Sequence, residues 1–134
     1  MATILCIDDD ICILRTYKAL LSSAGYAALT ASDGLSGIAL ARQNSIDLVV
    51  LDFNMPGMDG SQVAQVLMTE QPNLPVVMCT SYLYDLPEGL KWRVDALLHK
   101  GDGPAALLST VHDLILAKKG PTRSKARTSH RRSA

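Results

Sequence analysis

Short apolar runs rich in β-branched residues alternate along the chain with stretches whose apolar positions recur every three or four residues, and the alternation repeats five times. The runs at Thr3–Ile7, Tyr26–Leu29, Ile46–Leu51, Val76–Cys79 and Ala96–Leu98 predict strands. Between them, Ile11, Leu14 and Leu21 stand at helical spacing before Gly25. Leu35, Ile38 and Ala39 follow, and then Val63, Val66 and Leu67 behind Asp59 as an N-cap. A last helix is expected to begin at Pro104, a favoured first-turn residue, and to present Leu107, Leu108, Val111, Leu114 and Ile115 as one stripe. Asp85 to Arg93 gives a weaker helical signal because Pro87 and Gly89 interrupt it. Parallel neighbours need crossovers, so five strands each followed by a helix predict a doubly wound α/β fold, a five-stranded parallel sheet with helices on both faces.

Composition agrees with one such domain. The chain has 134 residues, of which 48% are hydrophobic and 19% charged, enough apolar material for a sizeable core and too much for wholesale disorder. Charge changes the picture more. The 13 acids and 13 bases balance, yet all the acids lie in residues 1–117 beside only six bases, giving that segment a net charge of −7. Lys118, Lys119, Arg123, Lys125, Arg127, Arg131 and Arg132 put +7 on the last seventeen residues, among Gly, Pro, Ser, Thr and Ala. The expected organisation is therefore an acidic globule, residues 1–117, and a basic, disordered tail, residues 118–134.

No apolar run approaches the roughly 18 to 20 residues of a membrane-spanning helix, and Ala2 to Ile7 is too short for a signal core. The three cysteines form no C-x-x-C pair, which suits reduced thiols. Cys6 and Cys79 read as small core residues, and Cys12 stays undecided. A soluble, cytoplasmic protein with no membrane partner is the expectation. Aromatic residues are lacking in the tail, so single-strand stacking is not expected of it, whereas non-specific affinity for nucleic acid is open to it.

In doubly wound sheets functional groups gather at the carboxyl ends of the strands. Asp8, Asp9 and Asp10 follow the first strand, Asp52 the third, Thr80 and Ser81 the fourth, and Lys100 the fifth. If the first and third strands are neighbours, at least three carboxylates converge, and their repulsion calls for a cation. A hard divalent ion with oxygen ligands, Mg²⁺, suits Asp8, Asp9 and Asp52 better than zinc or copper. Lys100 adds a point charge, Thr80 a hydroxyl donor, and Asp52 an oxygen nucleophile, the groups needed around a phosphoryl group. Asp10 reads equally well as a helix cap, and Asn54 to Gly60 as a turn-rich loop. His99, His112 and His130 share no metal-ligand spacing and are read as surface or tail residues.

The string from Val49 through Asp52 and Pro56 to Gly60, with Asp8 and Asp9, Thr80 and Lys100 each in order on its strand, resembles the receiver domain of bacterial two-component response regulators over about residues 2 to 117. The resemblance implies a flavodoxin-like, CheY-like sheet of strand order 2-1-3-4-5. It implies Asp52 as phosphoacceptor, Mg²⁺ held by Asp9 and Asp52 directly, by Asp8 often through water, and by the backbone carbonyl of Asn54. Thr80 would be the switch hydroxyl, Lys100 the lysine that pairs with the acyl phosphate, and Ser81 the small residue that gives access. The phosphodonor would be a histidine kinase or histidine phosphotransfer protein, and the output an unidentified target protein. Two positions depart from the family pattern: Leu97 stands where an aromatic is usual, and Gly101 where a proline is usual.

With fewer than twenty residues after the last helix, a stand-alone receiver with no output domain is expected, a signalling switch that acts only on its own aspartate and not an enzyme. Two alternatives are a phosphorylation-independent binding module and an aspartate-nucleophile phosphatase of the haloacid dehalogenase type. The phosphatase needs a second aspartate two residues after the nucleophile, where this chain has Asn54.

Overall fold

The computed structural model describes residues 1–81 and 94–119. The helical reading of Asp85 to Arg93 and most of the basic tail lie outside them. The described elements are β1 (Thr3–Ile7), α1 (Ile11–Ser23), β2 (Ala27–Ala31), α2 (Gly34–Gln43), β3 (Leu48–Asp52), α3 (Gly60–Glu70), β4 (Val76–Thr80), β5 (Ala96–His99), a 3-10 turn (Lys100–Asp102) and α4 (Pro104–Lys119). All pairings are parallel, in the order β2-β1-β3-β4-β5.

Alternation along the strands sorts the core into two layers. Leu5, Ile7, Val49, Leu51, Val76 and Met78 meet α2 and α3 through Ile38, Ala41, Val63, Ala64 and Leu67. Ile4, Cys6, Leu48, Val50, Val77 and Cys79 meet α1 and α4 through Leu14, Leu21, Leu107, Val111 and Leu114. With helices over both faces, β3 and β4 are buried at every residue, and their sequences run apolar without a break until Asp52 and Thr80.

Several boundaries differ from those expected. β2 is Ala27–Ala31 rather than Tyr26–Leu29, and β3 starts at Leu48 rather than Ile46. β3, β4 and β5 each extend one residue further, because Asp52 pairs in register with Cys79 and Thr80 with His99. The two side chains expected just beyond their strands are thus fixed by the ladder itself.

Ile11 and Leu35, expected on the buried helix faces, are 57% and 73% exposed. The inward face of α2 is made of Gly34, Gly37, Ile38 and Ala41, and the three small residues among them let the helix lie close to β1. A Cβ on Gly37 would come within 2.4 Å of Ile7. The last helix continues through Lys119, and Lys118, counted above with the tail, lies 3.7 Å from an Asp47 carboxylate oxygen and donates to the Asp47 carbonyl at 3.2 Å. Among the described residues no helix is long and apolar enough to cross a membrane.

The loop after β3 is held by Gly60, whose N–H donates to the Phe53 carbonyl at 2.8 Å. A Cβ at Gly60 would lie 2.5 Å from the Asp52 carbonyl oxygen and 2.6 Å from Phe53 Cα, both backbone atoms that cannot swing aside. Gly60→Ala should therefore destabilise the fold by about 1–3 kcal/mol, the range of overpacking substitutions. Urea unfolding reads this as a lower midpoint, and an unchanged midpoint would contradict the close packing.

Candidate functional site

β1 leads into a turn that uses three successive acids in three ways. The Asp8 N–H still donates to the Ala31 carbonyl at 3.1 Å, so the residue stays tied to the end of β2. Its Oδ1 accepts from the Asp10 N–H at 2.9 Å. Asp10 caps α1, accepting from the N–H groups of Cys12 and Ile13 at 2.9 and 3.3 Å. Asp9 is exposed between them. Asp52, the last residue of β3, is 4% exposed and Asp8 2% exposed.

One carboxylate oxygen each from Asp8, Asp9 and Asp52 lie within 4.8 Å of one another. Two unit charges at that separation repel by about 3–4 kcal/mol at an effective dielectric of about 20. Lys100, the first residue past β5, answers part of this: its Nζ is 2.9 Å from Asp8 Oδ2 and 3.2 Å from Asp52 Oδ1. Burial and the Asp8 charge push the Asp52 carboxyl up to about 6, against the pull of Lys100 and of the Asn54 N–H. Burial by itself would lower the Lys100 ammonium, but Asp8 and then Asp52 outweigh it and leave it raised. An all-oxygen, strongly acidic donor set with, among the described residues, one ammonium for two buried carboxylates fits a hard divalent cation.

Thr80 is fully buried at the end of β4, and its Oγ1 donates to Asn54 Oδ1 at 3.3 Å. Ser81 follows it and is exposed. The structure thus gathers Asp8, Asp9, Asp52 and Lys100 at one mouth, sets Thr80 against Asn54, and gives Asp10 to helix capping. The buried thiols of Cys6 and Cys79 are pushed up to about 12 by burial, as core cysteines are, whereas Cys12 is exposed.

Two arrangements escaped the sequence reading. One is the Asn54 side chain on Thr80, which spacing along the chain does not reveal. The other is the turn bearing Lys100, where the Gly101 N–H donates to His99 Nδ1 at 2.8 Å and the His99 N–H to Asp102 Oδ2 at 3.1 Å. A polar residue two or three positions from a glycine is a weak signal for such a turn.

The sequence profile described as the response regulator receiver domain matches residues 4–112. The chain belongs to that family. Among curated relatives, this receiver is 34% identical over 127 residues to the probable transcriptional regulator ycf27 of Cyanophora paradoxa, covering 93% of this chain and 53% of the relative. It is 35% identical over 116 residues to the transcriptional regulatory protein GlrR of Escherichia coli, covering 85% of this chain and 26% of the relative. The receiver therefore spans about half, or about a quarter, of those relatives' length.

Among solved structures, a response regulator receiver domain protein of Clostridium thermocellum superposes with a TM-score of 0.82 at 30% identity, covering 89% of this chain and 98% of that one. The response regulator TrrA of Thermotoga maritima, solved in complex with Mg²⁺ and BeF, superposes with a TM-score of 0.80 at 28% identity, covering 85% and 99%. The strand order 2-1-3-4-5 of this receiver is the CheY-like one.

Because the folded-state value of Asp52, about 6, lies above the ordinary aspartate value of about 3.9, its contribution to stability has a fixed sign. It is fully present below about pH 4 and is lost as the pH rises through about 6. In chelator, Asp52→Asn should therefore be more stable than the wild-type receiver at pH 7.5 by about 1–3 kcal/mol, with the difference shrinking toward pH 4 and on adding Mg²⁺. Paired urea melts across pH 4–8 check this. A difference independent of pH would contradict it.

Proposed function

We propose that this receiver is a phosphorylation switch of a two-component system, taking a phosphoryl group from a phosphohistidine onto Asp52. The observation that carries this reading is the buried Asp52 carboxylate at the end of β3, with an ammonium 3.2 Å from it and two further carboxylates within 4.8 Å. An Asp52 oxygen attacks phosphorus, the new O–P bond forms, the N–P bond breaks, and the electron pair leaves with the histidine nitrogen. Lys100 neutralises charge on the transferred oxygens, and Thr80 donates its hydroxyl to one of them after leaving Asn54.

Asp8, Asp9, Asp52 and the Asn54 backbone carbonyl would hold Mg²⁺, which supplies charge neutralisation for the phosphoryl oxygens. The Mg²⁺–BeF complex of the similar TrrA supports this ligand chemistry. The donor would be a histidine kinase or histidine phosphotransfer protein in the cytoplasm, and the receiver would catalyse only transfer to, and hydrolysis from, its own aspartate. The phosphatase alternative is disfavoured by Asn54, whose amide oxygen accepts from Thr80 where that chemistry needs an acid.

The chain divides into a receiver, residues 1–117, whose last helix runs on through Lys119, and a basic tail, residues 118–134, to which we assign a non-specific affinity for nucleic acid. On the output side, Leu97 is half-buried against the core under α2 and α3. It has no ring to swing between buried and exposed rotamers, so the surface change near it on phosphorylation is small.

Asp52→Asn should reduce labelling from a phosphohistidine donor to background, and Asp9→Ala should weaken Mg²⁺ binding by about tenfold or more while Asp10→Ala, at the helix cap, changes it little. Radiolabel transfer and a metal titration read the two effects. Full labelling of Asp52→Asn, or equal losses in Asp9→Ala and Asp10→Ala, would overturn the assignment.

A further inference from the structure

β5 ends at His99, paired in register with Thr80, and Lys100 is the first residue that the sheet ladder no longer holds. The lysine side chain is long and rotamer-rich, so where its ammonium spends its time depends on how firmly its backbone is set. That backbone lies in a 3-10 turn of only three residues, Lys100–Asp102, which has little internal hydrogen bonding of its own. We propose that His99 is a positioning residue for Lys100. Its imidazole and its own N–H clamp this turn from both sides and so aim the ammonium at Asp8 and Asp52.

The clamp is reciprocal. His99 Nδ1 accepts from the Gly101 N–H at 2.8 Å, which puts the ring proton on Nε2, and the His99 N–H donates to Asp102 Oδ2 at 3.1 Å. Two side chains thus bracket Lys100, one from each end of the turn. Gly101 is fitted to the ring: a Cβ there would lie 2.8 Å from His99 Nδ1 and 3.0 Å from Cε1, displacing the imidazole from the bond it makes. Gly103, at φ 91°, then releases the chain into α4 at Pro104 in a conformation that other residues rarely adopt. The glycine after the lysine, which departs from the family pattern, is accounted for by the same contact: the turn is shaped by a histidine packed over a glycine. The consequence lies 2.9 and 3.2 Å away, where the Lys100 ammonium meets both buried carboxylates.

This inference rests on the role proposed above for Lys100, and one set of proteins separates the two. Full-length wild type, His99→Ala, Lys100→Ala and the double variant are incubated with acetyl phosphate at saturating Mg²⁺, and the initial rate of Asp52 labelling is measured. His99→Ala should slow labelling by about fivefold, the worth of one hydrogen bond in the set geometry. In the Lys100→Ala background the same substitution should cost less than about twofold, since the lysine through which it acts is gone. His99→Asn should label within about twofold of wild type, because its carbonyl can accept the same N–H two residues on, whereas His99→Gln, one bond longer, should not.

Equal losses in both backgrounds mean a merely structural role and overturn the inference, as does an unchanged rate in His99→Ala. If His99→Ala does not fold, the Asn and Gln variants carry the test, and equal rates in those two overturn it. Wild-type labelling by Lys100→Ala removes the lysine's role and the inference together, whereas a slow Lys100→Ala beside a fast His99→Ala removes only the inference.

Discussion

Burying two carboxylates within reach of one ammonium is the constraint to which the rest of this molecule answers. Asp8 and Asp52 sit at the ends of adjacent parallel strands, almost wholly removed from water, and Lys100 touches both. Such a cluster is costly, because desolvation penalises each charge and the carboxylates repel. The fold offsets that cost with a rigid platform: β3 and β4 are buried throughout, and the apolar layers on both sides hold the strand ends in register. A site that is incompletely neutralised on its own is suited to bind a divalent cation and a phosphoryl group. The upward displacement of Asp52 to about 6 is the electrostatic mark of that incompleteness.

The same strand ends carry the parts that would respond to a new charge. Thr80 is locked to Asn54 at one side of Asp52, and Lys100 is mounted on a capped turn at the other. The Thr80 hydroxyl bonds Asn54 at ordinary length, and two hydrogen bonds of ordinary length fix the short turn beyond β5, so both groups sit where the sheet ends. Leu97 and Gly101 change what lies beyond them. The half-buried leucine offers no aromatic rotamer to report the shift, and Gly101 packs on His99 in the turn that carries the lysine.

Much of this was visible in the order of residues. The unbroken apolar run along Val49 to Leu51 and the helical stripe from Leu107 to Ile115 follow from burial alone, and the acids and the lysine at strand exits follow from the topology those patterns imply. Asp59 was readable as a cap, and it forms a capping box with Gln62. What could not be read was set by tertiary packing. Leu35 fits a helical stripe, yet Gly37 must face Ile7, which turns the leucine outward. The ends of β3 and β4 depend on partners in other strands, and the roles of Asn54 and His99 depend on atoms brought close only by the fold.

Phosphoryl transfer to Asp52 is tested most directly by locating the adduct chemically. The receiver is incubated with acetyl phosphate and Mg²⁺, the acyl phosphate is trapped by borohydride reduction, and the peptides are sequenced by mass spectrometry. The expected product is a single modified residue, Asp52, converted to homoserine and lost when the metal is chelated. Modification at another carboxylate, or undiminished modification of Asp52 in chelator, would contradict it.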